Sequence, residues 1–273
     1  MTCFSNVWMK LGQPSKFILT ECGPGRGTLM ADALRATKNV PGFHKAAAIH
    51  LVEMSPVLRD KQKQALKGYK VQWHDDFSGL PADGPVIVLA NEFLDALPVR
   101  QIAMTSAGWQ ERVVGLDDDG ALCLGLRPTS LGNDRDGQVG DICEISPARD
   151  VFIAQLCERL KIQGGAALLV DYGHDKDAPG DTVQAVKDHG YVDILSTPGD
   201  ADITSHVNFA RVAQVAQECG AAVYGPMAQG DFLNRMGIDY RAQNLLKNAS
   251  AAQAEEIKAA VTRLTGQDEM GTL

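Results

Sequence analysis

Residues 21–27 read ECGPGRG, an acid followed by three glycines at every second position. The heptapeptide lies between an apolar run, KFILTE (16–21), and an amphipathic stretch, TLMADALRAT (28–37). Glycine in such a turn lets the backbone approach a ligand without a Cβ in the way. The N–H groups that open the following helix favour a negative or electron-rich group. A dinucleotide fingerprint spaces its glycines G-x-G-x-x-G. Here Gly23, Gly25 and Gly27 have the spacing G-x-G-x-G, which counts against an NAD-dependent oxidoreductase. The plainer alternative is a glycine-rich turn with no ligand. Further acids close the next apolar runs. Glu53 ends AAAIHLVE (46–53), where a carboxylate can accept both hydroxyls of a ribose or simply be solvated. Asp75 and Asp76 end YKVQWHDD (69–76), and Asn91, Glu92 and Asp95 stand where GPVIVLANE (84–92) runs into FLDAL.

These residues need a frame that gathers strand ends. KFILTE, AAAIHLVE, YKVQWHDD and GPVIVLANE read as strands, and TLMADALRAT and SPVLRDKQKQAL (55–66) as the helices between them. The second helix opens with Ser then Pro, a good cap and first-turn pair. The fourth strand is apolar on both faces, as a central parallel strand should be. This β-α-β-α-β order predicts an α/β, doubly wound, mostly parallel sheet. Such a sheet binds ligands beyond the carboxyl ends of its strands. The rhythm breaks at 99–141. VRQIAMT, WQERVVGL and ALCLGLR read as antiparallel strands joined by short turns, and a polar, Gly-rich stretch follows. We read 1–273 as one domain with a β-rich insertion at 99–141. ARDVFIAQLCERLKIQ (148–163), GAALLVDYG (165–173), NFARVAQVAQECG (208–220) and AAVYGPM (221–227) restore the pattern as helix, strand, helix and strand, and 240–265 is helical.

Composition sets the outer bounds. With 273 residues, 45% of them apolar, the chain can bury a sizeable core. A net charge of −8 argues against non-specific nucleic-acid or anionic-membrane binding. Six cysteines without a CxxC pair fit no zinc template and read as reduced thiols, so no metal is expected. No apolar run approaches the ~18–20 residues that a membrane-spanning helix needs.

The acid-glycine pattern resembles motif I of the class I S-adenosyl-L-methionine (SAM) methyltransferases, a Rossmann-like fold. That resemblance implies that Gly23, Gly25 and Gly27 pass the methionine part of the cofactor, with Glu21 near its amino group. It also implies that Asp75 or Asp76 meets the adenine amino group, against a turn or cap role for each. Together with NEFLDALPVRQ (91–101), LLVDYGH (168–174), DITSHVNF (202–209) and FLNRMGI (232–238), the chain looks like the MidA family. These are methyltransferase-like proteins of mitochondria and bacteria linked to assembly of respiratory complex I. The resemblance runs from about residue 8 to the end. It implies an arginine-bearing complex I subunit as protein substrate, and a bacterial cytoplasm or a mitochondrial matrix as location.

An arginine acceptor asks for carboxylates that orient the planar guanidinium. Glu92 and Asp95 are the candidate clamp, against a helix cap and a solvated acid. Asn91 is a candidate for the cofactor or for the substrate backbone. His174 and His206 are candidates for lining the substrate groove or for structural roles. Asp202 and Thr204 read as turn and cap residues, and Arg26 as a contact to the cofactor carboxylate or a local ion pair. Family members carry a further N-terminal segment and a last hydrophobic strand. The terminal elements are therefore expected to be truncated here, with the edge of AALLVDY left bare. A SAM-binding assembly factor without catalysis, or an inactive fragment, is the alternative reading.

Overall fold

The computed structural model describes residues 3–132 and 135–272, and the chain divides into two compact units. Leu273 lies outside the described residues, as do Asn133 and Asp134 in the polar stretch.

The first unit comprises residues 1–91, 158–171 and 221–273. Its sheet is parallel and built from β1 (Phe17–Cys22), β2 (Ala47–Val52), β3 (Val71–His74), β4 (Val86–Asn91) and β9 (Gly165–Val170) in the order β3-β2-β1-β4-β9. All six residues of β1 are buried, which is why FILTEC is apolar on both faces up to its acid. The chain leaves β1 toward β2 and β3, then returns to β4 on the other side. Strand order reverses between β1 and β4, so the crevice beyond their carboxyl ends is the ligand position of an open α/β sheet. The register aligns Cys22 with both Val52 and Ala90, and the acids that follow these strands start from one level.

Helices α1 (Cys3–Lys10), α2 (Thr28–Thr37), α3 (Phe43–Ala46) and α4 (Pro56–Ala65) belong to this unit. The core joins Trp8, Phe17, Leu19, Leu34, Phe43 and Leu51. Trp8 meets Phe43 edge-on with ring centres 5.6 Å apart. Each of these side chains stabilises the unit by roughly 1.5–3 kcal/mol through burial. Ser55 caps α4, accepting from the Leu58 amide, with Pro56 at the first helical position as its sequence implies.

Segment 221–227 is irregular, which corrects the strand expected there. A strand must pair its backbone, and this segment has no ladder partner. Tyr224 is 94% exposed. β9 is an edge strand paired with β4, and its six residues are only half-buried. The chain then forms α7 (Gln229–Arg235), α8 (Ile238–Leu246) and α9 (Ala251–Thr265). A reciprocal Ser250–Gln253 capping box starts α9.

The second unit comprises residues 92–157 and 172–220. Strands β5 (Arg100–Thr105), β6 (Gly108–Leu116), β7 (Leu122–Pro128) and β8 (Ile142–Ile145) form an antiparallel sheet in the order β7-β6-β5-β8. Ile102, Trp109 and Cys143 are its buried centre. Three short strands at 184–187, 190–192 and 202–204 make a second antiparallel sheet, and 173–174 pairs with 207–208. Gly173 is required there, because a Cβ would stand 1.9 Å from the Val207 carbonyl oxygen. Helix α6 (Phe209–Glu218) is capped by the Asn208 side chain. Helix α5 (Pro147–Gln163) carries the chain from this unit into the first.

Candidate active site

The first unit holds a preformed cradle. Gly23, Gly25 and Gly27 all have left-handed backbones, with φ of 62°, 51° and 79°. A side chain at any of them would be strained. A Cβ on Gly27 would also lie 3.3 Å from the Gln62 Cα, whereas a Cβ on Gly25 would meet nothing within 4 Å. The loop therefore packs on α4 at one glycine and opens to free space at another.

Gln62 is fully buried and ties the cradle together. Its Nε2 donates to the Gly25 carbonyl at 2.8 Å and to Glu53 Oε2 at 3.0 Å. Its Oε1 accepts from the Trp73 indole at 2.9 Å. Glu53 is 9% exposed, and its other oxygen accepts the Ser55 amide at 2.8 Å. Each carboxylate oxygen keeps a lone pair for a hydroxyl donor. No sequence signal singled out Gln62, one of two glutamines in a polar helix.

Glu21 lies beneath the loop, 3% exposed. Burial pushes its carboxyl up to about 7, opposed by a hydrogen bond from the Met30 backbone. Its buried Oε2 has no hydrogen-bond partner among the described residues. A buried acid with an unmet oxygen is costly alone and is relieved by a cation or donor. SAM has both groups this cradle asks for: an ammonium for Glu21 and a ribose diol for Glu53. The residues fit the cofactor.

The remaining candidates of this unit differ in the partners they have. Asp75 is exposed and paired with Arg59 at 2.8 Å. Asp76 caps a 3-10 turn, and its Oδ1 accepts from the Ser78 amide at 2.8 Å, the Ser78 hydroxyl at 2.5 Å and the Gly79 amide at 3.2 Å. The Ser78 hydroxyl is the first cause of its lowered carboxyl pKa. Asn91 is the half-buried last residue of β4. Arg26 is exposed and forms no ion pair among the described residues.

The second unit opens with Glu92, held at φ 47°. A non-glycine residue in this region costs of order 1–3 kcal/mol and persists where the surroundings demand it. Glu92 is exposed by area, yet partial desolvation of its carboxyl raises its pKa, reinforced by Asp95 and Asp202. Asp95 is 5% exposed. It accepts the Tyr172 hydroxyl through Oδ2 at 2.6 Å. Burial and this acid push the tyrosine pKa up, so the hydroxyl stays a donor. Tyr172 meets His206 edge-on at 5.5 Å.

Arg149 fixes the backbone around these groups. Its guanidinium donates to the carbonyls of Leu94 (2.7 Å), Asp95 (3.4 Å), Ser205 (2.9 Å) and His206 (2.8 Å), and to the Ser205 hydroxyl (2.7 Å). The Asp95 carbonyl also accepts the Ser205 amide at 3.1 Å. The unit thus brings Glu92, Asp95, Asp202, Tyr172 and His206 toward one locality. The ring nitrogen of His174 lies 2.5 Å from the Lys176 carbonyl. Tyr172 lies inside the quoted motif LLVDYGH but has no signal of its own, and Arg149 looks like any helix-start arginine.

Comparisons with known proteins agree with this geometry. The family described as "Putative S-adenosyl-L-methionine-dependent methyltransferase" matches residues 2–227. The Protein arginine methyltransferase NDUFAF7, mitochondrial, of Xenopus tropicalis is 34% identical over 98% of this chain and 69% of its own length. The human protein of that name is 34% identical over 90% of this chain and 62% of its own length. Two Burkholderia thailandensis crystal structures superpose with a TM-score of 0.83 at 28% identity, covering 98% of this chain and 74% or 72% of theirs. The second is bound to S-adenosyl-homocysteine. The glycine cradle, the doubly wound sheet and these relatives agree: the chain belongs to the family of SAM-dependent methyltransferases.

Proposed function

We propose that this chain methylates an arginine side chain of a protein, and that the protein is a subunit of respiratory complex I. The arginine is supported by the names of the relatives and by the acidic group at Glu92. Complex I follows from the MidA resemblance. The observation that carries the reading is Glu92, held in a left-handed conformation one peptide bond past the end of β4, its pKa raised by desolvation and then by Asp95 and Asp202.

Glu21 and Glu53 hold the cofactor's charged and hydroxyl-bearing ends, the three glycines let it lie against bare backbone, and Asp76, Asp75 or Asn91 complete the site. Bound SAM supplies a methyl group on a sulfonium. Glu92 and Asp95 orient the guanidinium, and catalysis is mostly positioning. A raised pKa suits Glu92 to take the proton that the methylated nitrogen releases. The Tyr172 hydroxyl, donating to Oδ2, holds Asp95 in one rotamer.

The test is transfer of labelled methyl from SAM to arginine in a complex I subunit preparation. Wild type labels arginine, and Glu92→Gln loses transfer while S-adenosyl-homocysteine still raises its melting temperature. Undiminished transfer in that variant removes the clamp role. Cofactor binding with no methylated protein favours the non-catalytic assembly factor.

A further inference from the structure

Five largely exposed aliphatic side chains lie on one face of the β6–β7 hairpin. The register pairs Val114 with Leu124 and Leu116 with Leu122, and Leu126 follows two residues on. Alternation puts all five on the same face. They are 56%, 45%, 68%, 40% and 51% exposed in that order. An antiparallel hairpin normally turns such a face to a core, and a contiguous exposed apolar patch marks an interaction site. This face continues into a cleft of about 390 Å³ within the same unit. Val114 and Leu124 line one part of the cleft, Leu195 and Ile203 another, and Asp95 a third. Arg112, the cation on its wall, is neutralised by Asp181 at 3.0 Å.

We infer that the hairpin face and cleft dock the protein substrate as an extended segment, with aliphatic residues on Val114, Leu116, Leu122 and Leu124 and an arginine directed to Asp95. This rests on the arginine reading above and adds the flanking sequence that the enzyme selects. Charge chooses the occupant. The cleft reaches Asp95, with Glu92 and Asp202 as acidic neighbours, so it attracts a cationic apolar segment. A second copy would bring an equal acidic group against the first, in a chain of net charge −8.

The experiment titrates short fluorescein-labelled peptides into the whole chain with saturating S-adenosyl-homocysteine. The first probe carries an arginine between leucines and valines, the second an arginine between serines, and the third replaces the first probe's arginine with citrulline. The first probe is expected to bind at least about tenfold tighter than the second, the effect of burying one aliphatic side chain. The paired substitution Leu122→Asp and Leu124→Asp, at exposed positions, abolishes that preference and keeps the thermal shift with S-adenosyl-homocysteine. Failure of the first probe to bind, equal binding of the first two, or a preference that survives the substitutions overturns the docking surface. So does a wild-type dimer that the substitutions dissociate. If citrulline binds as well as arginine, the cationic end of the cleft and the arginine reading fall, whatever the aliphatic preference.

Discussion

The two units hold their acids in opposite ways. In the first, the cofactor cradle is built from consecutive chain: a strand, a glycine loop and the helices beside it, with Gln62 as a brace. In the second, Asp95 is fixed by Tyr172 at a separation of 77 residues and by Arg149 at 54. Its neighbour Ser205 comes from a third segment. A local cradle can recognise a cofactor shared by many enzymes. On the function proposed above, an acceptor site assembled from distant segments can change its substrate without disturbing that cradle.

The sharpest way to break this comparison is to damage the second site alone. Asp95→Asn keeps an acceptor for the Tyr172 hydroxyl but removes the charge. Arginine methylation should fall about a hundredfold, the order expected for a mispositioned acceptor, with S-adenosyl-homocysteine affinity unchanged by calorimetry. A parallel loss of cofactor affinity would mean that the two functions are not separable.

Glu21 offers the reverse test through pH. Its folded pKa of about 7 lies above the ordinary 4.5, so the folded cofactor-free protein binds more protons between those values. Stability contributed by this group is present below about 4.5 and is lost as pH rises toward 7. Glu21→Gln should therefore raise cofactor-free stability at pH 8 by up to ~3 kcal/mol while weakening SAM binding. Melting curves against pH check the first effect and calorimetry the second. An unchanged pH profile would show that Glu21 is not desolvated.

Two smaller effects grade the cradle. Gln62→Leu leaves the Gly25 carbonyl, Glu53 and the Trp73 indole each short of a partner, a loss of about 1–3 kcal/mol in chemical denaturation. Cofactor affinity should fall with it. Gly27→Ala imposes left-handed strain of about 1–2 kcal/mol and crowds Gln62 at 3.3 Å. If Gly27→Ala weakens the cofactor more than Gln62→Leu does, backbone approach rather than the glutamine brace shapes the site.

Much of the first unit was legible in the chain because its signals are local. TLMADALRAT is helical over the residues read as helix, and Ser55–Pro56 starts α4. The glycine spacing announced a bend that only glycine tolerates. The strand expected at 221–227 fails for a non-local reason, since an apolar run becomes a strand only where a neighbouring edge accepts it. Asp76 shows the limit of motif reading: its Oδ1 caps a turn, a contact that its place in the motif does not announce.

From the sequence alone came the parallel sheet and the glycine loop, because apolar runs and glycine geometry act within a few residues of the chain, while the cofactor class came only with the family resemblance that the motifs carry. The tertiary structure decided which acids share a locality, that Gln62 braces the loop, that Arg149 and Tyr172 hold Asp95, and that a hairpin leaves its leucines uncovered. Those facts depend on which distant segments meet in space, and a charge or a hydroxyl carries no mark of its partner until they do.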